Sequence, residues 1–87
     1  MFKKNTILNN SCEPVEVMAL FGFEMTPCQP LTFKRTDGVE VEVDELLRSQ
    51  VKFEHAAAIH IFDIIAAGRK YRLEFNSSNL AWDLQLA

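Results

Sequence analysis

Cys12, Cys28, His55 and His60 are the residue types that hold zinc. Their spacing works against a shared ion. The two cysteines form no Cys-x-x-Cys pair, and His55 and His60 stand at odd spacing, so on one strand they would face opposite ways. No metal or other cofactor is expected. A cysteine nucleophile is the next possibility. Cys28 lies between Pro27 and Gln29 in a loop, but nothing beside it in the sequence would lower its pKa, and only His60 could approach it through the fold. Two cysteines make no disulfide framework, and both are expected as free thiols. His60 and Asp63 are the polar residues of an otherwise apolar run. They either lie on an outward face or find backbone partners, or else they line a cleft or a subunit interface. A small enzyme using Cys28, or His60 with Asp63, requires those groups within hydrogen-bond reach. Glu40, Glu42 and Asp44 alternate along one strand face, about 7 Å from one to the next. A solvated face is a simpler reading than a catalytic dyad. No recognisable catalytic machinery emerges.

The cations form the remaining candidate site. Lys34 and Arg35 end one apolar-polar segment, and Arg69, Lys70 and Arg72 begin another. On neighbouring strands they would make a basic patch, and with Tyr71 or Trp82 beside it the patch would suit single-stranded nucleic acid through charge and stacking. Tyr71 and Trp82, however, fall on apolar parities and belong to the core. Nine Lys and Arg stand against twelve Asp and Glu, a net charge of −3, so the overall field does not attract polyanions.

The elements that must position these residues follow from patterning. The 87 residues make room for one domain; 48% are apolar, seven are Phe and 24% are charged, the balance of a folded soluble chain. Residues 1–12 read as a flexible N-terminal tail and 13–87 as a single β-rich domain. The first residues lack the apolar segment of a secretion signal, so a cytoplasmic location is expected and the Asn76-Ser77-Ser78 sequon reads as an ordinary turn. No apolar run is long enough for a membrane helix.

Val15, Val17, Ala19, Phe21 and Phe23 fall on one parity and Glu16, Met18, Leu20 and Glu24 on the other, which predicts a strand, with a helix as the competing reading. Leu31–Arg35 predicts a second strand. Asp37-Gly38 supplies a hairpin turn, after which Val39, Val41 and Val43 alternate with acids. Asp44 is positioned to cap one or two helical turns running toward Glu54. Residues 56–67 are apolar on both parities, with Ile59, Ile61 and Ile65 on one and Phe62 and Ile64 on the other. Such a strand is central in a fold or covered by a partner. Tyr71, Leu73 and Phe75, then Trp82, Leu84 and Leu86, mark two more one-sided strands. The sum is an all-β fold, a small six-stranded antiparallel barrel or roll with one short helix, the alternative being α+β. The expected core is Val15, Val17, Phe21, Phe33, Val41, Val43, Leu47, Ile59, Ile61, Tyr71, Leu73, Phe75, Trp82 and Leu84.

Glu13-Pro14-Val15-Glu16-Val17, Leu31–Arg35, Val41–Leu47, Ile59–Ile65, Arg69–Phe75 and Trp82-Asp83-Leu84 follow one another in an order that resembles a family of small bacterial proteins of unknown function. The resemblance spans 13–86. It departs where members of that family carry extra aromatic and basic residues in the central strands. Some relatives occur beside or fused to Y-family DNA polymerases in actinobacteria, so the resemblance implies an accessory role near DNA; it brings no catalytic residues.

Two function classes follow. One is a non-catalytic interaction module binding a protein partner or its own second copy as a homodimer, with Ile59, Ile61, Phe62 and Ile65 as the interface. The other is an accessory nucleic-acid module using Lys34, Arg35, Arg69, Lys70 and Arg72.

Overall fold

The computed structural model describes residues 12–21 and 29–87. Seven strands follow one another: β1 (Cys12–Leu20), β2 (Gln29–Lys34), β3 (Glu40–Glu42), β4 (Glu45–Glu54), β5 (Ala57–Ala66), β6 (Arg69–Asn76) and β7 (Ala81–Leu86). They form one antiparallel sheet in the order β3-β2-β1-β7-β6-β5-β4. The fold is all-β, and the first element is a strand, as the alternation of Val15 and Val17 requires.

A connection of two residues sets the shape. β3 and β4 occupy opposite edges of the sheet, yet only Val43 and Asp44 separate them. In a flat seven-stranded sheet those edges would stand roughly 29 Å apart, and the chain from Glu42 to Glu45 spans about 11 Å at most. The sheet therefore curls into a half-barrel. Val43 donates its backbone N–H to the Leu31 carbonyl on β2 at 2.9 Å, and Asp44 donates to the Ile65 carbonyl on β5 at 2.8 Å. Successive amides thus tie the two margins together.

The concave side holds the core. Phe33, Phe62, Ile64, Ala66, Tyr71, Leu73 and Leu84 are buried there, with Val15, Val17, Val41, Val43, Leu46 and Trp82 packed around them. Phe33 on β2 meets Tyr71 on β6 edge to face, ring centroids 5.7 Å apart across the hollow. Phe62 stacks on Trp82 at 5.8 Å, and Phe75 lies 4.8 Å from the same indole. Such aromatic pairs add about 0.5–1.5 kcal/mol each beyond the area they bury.

The expected helix after Asp44 is a strand. Asp44 offers a helix cap in the sequence, but the apolar neighbours Leu46 and Leu47 mark a break in strand alternation instead. The break is a bulge: Leu46 pairs with Ile64 and Arg48 with Asp63, leaving Leu47 as the extra residue. The count is accordingly seven strands and, among the described residues, no helix. Asp44 caps no helix; its Oδ2 accepts the Ala67 N–H at 3.1 Å, in the β5–β6 turn. Two expected core residues lie outside the core. Leu47 is thrown outward by the bulge at 42% exposure, and Phe21, beyond the end of β1, is 65% exposed. The deepest core of β5 is Phe62, Ile64 and Ala66, on the parity not chosen for the core. Ile59 and Ile61 are buried with Ala57 in a separate cluster. Register sets Lys52 and Asn76 beside Ile59, and Gln50 and Glu74 beside Ile61, so long side chains flank that outer cluster. The expected tail overlaps the fold at Cys12, which opens β1 opposite Gln85; residues 1–11 lie outside the described residues.

The turns follow local chemistry. Residues Thr36–Gly38 make the β2–β3 loop: Gly38 donates to the Arg35 carbonyl and Arg35 to the Val39 carbonyl, both at 2.9 Å, with Gly38 at φ 89°. This is a type I turn closed by a left-handed glycine. The β5–β6 turn, Ala67-Gly68, and the β4–β5 turn, His55-Ala56, have both central residues at positive φ. His55 (φ 50°) and Ala56 (φ 67°) hold that conformation without a glycine. Each carries a steric cost of about 1–2 kcal/mol. Replacing the pair by Asn-Gly is expected to raise unfolding stability by about 1 kcal/mol, read as a higher urea midpoint at unchanged slope.

Candidate functional site

The sheet register decides where each chemically capable residue goes. His60 and Asp63 diverge. His60 faces the concave side, its ring 5.8 Å from that of Phe75, with Nδ1 buried and without a hydrogen-bond partner among the described residues. Asp63 faces outward and accepts from Arg72 Nε at 3.0 Å. The two do not form a pair. His55 is exposed in its turn, and Cys28 lies outside the described residues, as does Phe23. Among the described residues no three His, Cys, Asp or Glu side chains converge on a common point. Glu40 and Glu42 remain on an exposed outer face.

The five cations are dispersed among carboxylates. Lys34 sits between Glu16 on β1 and Glu40 on β3 by register. Arg35 is held by Glu13, and Arg72 by Asp63. Arg69 and Lys70 are exposed at the start of β6. β2 and β6 are separated by β1 and β7, so Lys34 and Arg35 do not adjoin Arg72 within the sheet. The expected single basic surface is thus two groups of cations, partly matched by acids.

The Glu13–Arg35 contact is the best-built polar feature. Glu13 lies on the concave parity of β1, opposite Leu84. Its carboxylate receives Arg35 Nη2 at 2.7 Å and Nε at 3.3 Å, then the Thr36 N–H at 3.1 Å and hydroxyl at 3.2 Å. These donors, the Arg35 guanidinium foremost, hold the Glu13 carboxyl down to about 2. Glu13 is the second residue of β1 and Arg35 directly follows the end of β2, so one carboxylate clamps the β2–β3 turn to the first strand. Spacing along the sequence carried no sign of this pair.

Cys12 is exposed, with Sγ 4.0 Å from Gln85 Nε2. Partial desolvation, then the nearby Asp83 and Glu74 carboxylates, pushes its thiol up, against a smaller pull from Gln85.

The feature that stands apart is the outer half of the β4–β5 hairpin. From Leu47 to Glu54 every residue of β4 is exposed, Val51 at 46% and Phe53 at 79%. β4 pairs only with β5 among the described residues and terminates the sheet. Val51 and Phe53 share the concave parity of His60 and Ala58, their register partners. Phe21, 65% exposed and 6.3 Å from Phe75 between ring centroids, lies toward the same open end of the hollow. By contrast Ile59, Ile61 and Phe62, the expected interface, are 7%, 5% and 0% exposed, and Ile65 is half-buried. These side chains are largely covered within the chain, on a strand that lies inside the sheet with β4 and β6 on either side.

No known protein family, curated protein or solved structure matches the chain. Among the described residues no helix is long and apolar enough to cross a membrane.

Two predictions follow from these contacts. The Glu13 carboxyl is more acidic folded than unfolded, so its contribution is full above about pH 4.5 and is lost as pH falls toward about 2. Glu13→Gln should lower stability at neutral pH by about 1 kcal/mol and flatten the acid limb across that window in urea titrations. In a Cys28→Ser background, Cys12 should react with a disulfide reagent at neutral pH more slowly than free cysteine, because less of it is thiolate.

Proposed function

We propose that this chain is a non-catalytic interaction module that binds a protein partner or its own second copy through the exposed β4 margin. The observation that carries the reading is a ten-residue edge strand whose outer half exposes Val51 and Phe53 beside a backbone margin with no strand partner among the described residues. A sheet edge offers main-chain donors and acceptors to an extended partner, and side chains on alternating positions select it. Isolated apolar residues on a surface need no explanation. Here Val51 and Phe53 adjoin a free edge, where most proteins place protection.

The nucleic-acid reading gains less support. Two of its five cations are engaged by Glu13 and Asp63, and Lys34 lies between two acids. Nucleic-acid binding would also weaken steeply with added salt.

The test compares the full chain with Phe53→Asp. Solution mass is followed by light scattering across a concentration series, and both proteins serve as bait in cell lysate. Self-association or a retained partner that Phe53→Asp abolishes is the expected outcome. A chain that stays monomeric and retains the same proteins with either bait overturns the reading.

A further inference from the structure

The backbone of β4 says which of its groups are free. The two-residue His55-Ala56 turn makes Glu54 and Ala57 a doubly hydrogen-bonded pair. Alternation along an antiparallel ladder then directs the N–H and C=O of Lys52, Gln50 and Arg48 toward β5, and those of Ser49, Val51 and Phe53 away from it. Ala58, opposite Phe53, agrees with this: it gives its N–H to Ser77 Oγ at 3.1 Å and accepts the Ser77 N–H at 2.9 Å, both on the β6 side. So three residues of β4 present six main-chain groups at the sheet edge.

The usable length is bounded on both sides. The bulge between Leu46 and Arg48 interrupts the strand before it, and the turn at His55 ends it. The regular segment is Arg48–Glu54, and its middle residue is Val51. A second copy pairing antiparallel over the whole segment must place the two-fold axis at Val51. Val51 then meets Val51 of the second copy through two hydrogen bonds, and Ser49 meets Phe53 through two more at each end.

Side chains agree with that register. Directly opposed residues share a face. On the outer face Arg48 comes opposite Glu54 of the second copy, twice by symmetry, and Gln50 opposite Lys52. Among the described residues Arg48 reaches Gln50 Oε1 at 3.4 Å, and Glu54 holds Lys52 at 3.2 Å in a pair about half exposed on both sides. On the concave face the exposed Val51 and Phe53 lose water against their counterparts. Moving the axis by one residue is unfavourable. Centring on Gln50 sets Arg48 against Lys52, and centring on Lys52 sets lysine against lysine. The opposite edge, β3, is three residues long and carries two glutamates, too short and too uniformly charged to compete.

We infer that two copies of this chain join their β4 edges antiparallel about Val51, continuing one sheet through both. This rests on the interaction reading above and names its partner. Each copy contributes seven strand residues, well short of the roughly 20–30 of a standard stable interface, so the dimer is concentration-dependent.

Sedimentation velocity of the full chain across a wide concentration range tests it. Arg48→Glu sets Glu against Glu54 twice and is expected to weaken dimerisation on the order of tenfold. Arg48→Glu with Glu54→Arg restores the opposition and should return most of the affinity. Val51→Pro removes the central N–H, which points away from β5, so the fold survives while the dimer is lost. Circular dichroism checks the fold of each variant; if Val51→Pro unfolds the chain, the charge exchange decides alone. A monomer at every concentration overturns the pairing, and lysate capture that depends on Phe53 then shows whether the broader reading survives. A dimer indifferent to both Arg48→Glu and Val51→Pro also overturns it, because the copies meet elsewhere. Slow amide exchange at Ser49, Val51 and Phe53 in a monomer does so too, since the chain itself then covers the edge.

Discussion

Two peptide groups hold the architecture in its curled form. Val43 bonds to β2 and Asp44 bonds to β5, although these strands are far apart in the order of the sheet. Each bond alone continues an ordinary ladder. Their adjacency in the chain is what forbids a flat sheet, because the chain between them has no length to spare. Curling brings Phe33 within reach of Tyr71 and gives the concave side its contents. Without that corner, the inner residues of β2 and β6 would lie on one open face and lose each other as neighbours.

The same corner explains what happens further along β4. Its first residues serve the closure: Leu46 packs on the core and the Asp44 carboxylate caps the β5–β6 turn. The Leu47 bulge then turns the strand, after which β4 has only β5 beside it. The hairpin beyond the bulge is therefore less integrated with the core than its beginning. Exposure changes along one strand from half-buried at Leu46 to 79% at Phe53. A strand that starts as a structural element ends as a surface, and the functional reading concerns only the second part.

Charge is handled at short range. Acids and bases face one another across strands at Glu16, Lys34 and Glu40, at Asp63 and Arg72, and at Glu13 and Arg35. Exposed pairs of this kind contribute little individually, about 0–1 kcal/mol. The exception is Glu13, whose carboxylate meets four donors and joins the start of β1 to the end of β2. Pairing engages Arg35 with Glu13 and Arg72 with Asp63, and the sheet order places the five cations of the expected patch in two groups.

Much of the fold was legible in local pattern. Period-two alternation at Val15–Val17 and Tyr71–Phe75 marked strands because one face of each is wet and the other is not. Asp37-Gly38 marked a hairpin because glycine takes a left-handed φ freely, and the doubly apolar run marked a strand either central or covered by a partner, of which β5 takes the first, inside the sheet. What stayed hidden depended on neighbours distant in sequence. Leu46-Leu47 reads as a helix until Ile64 and Asp63 are set opposite, when the extra residue becomes a bulge. The expected core took Ile59 and Ile61 from β5, whereas the main core takes Phe62, Ile64 and Ala66; both parities are apolar, and only the curl decides which is concave. Glu13 and Arg35 meet because β1 and β2 are paired, and the candidate site at Val51 and Phe53 exists because β4 ends the sheet. Alternation and turn chemistry are properties of a few adjacent residues, so the sequence determined the strands and tight turns. Edges, faces and ion pairs belong to which strand lies beside which, and only the tertiary structure decided them.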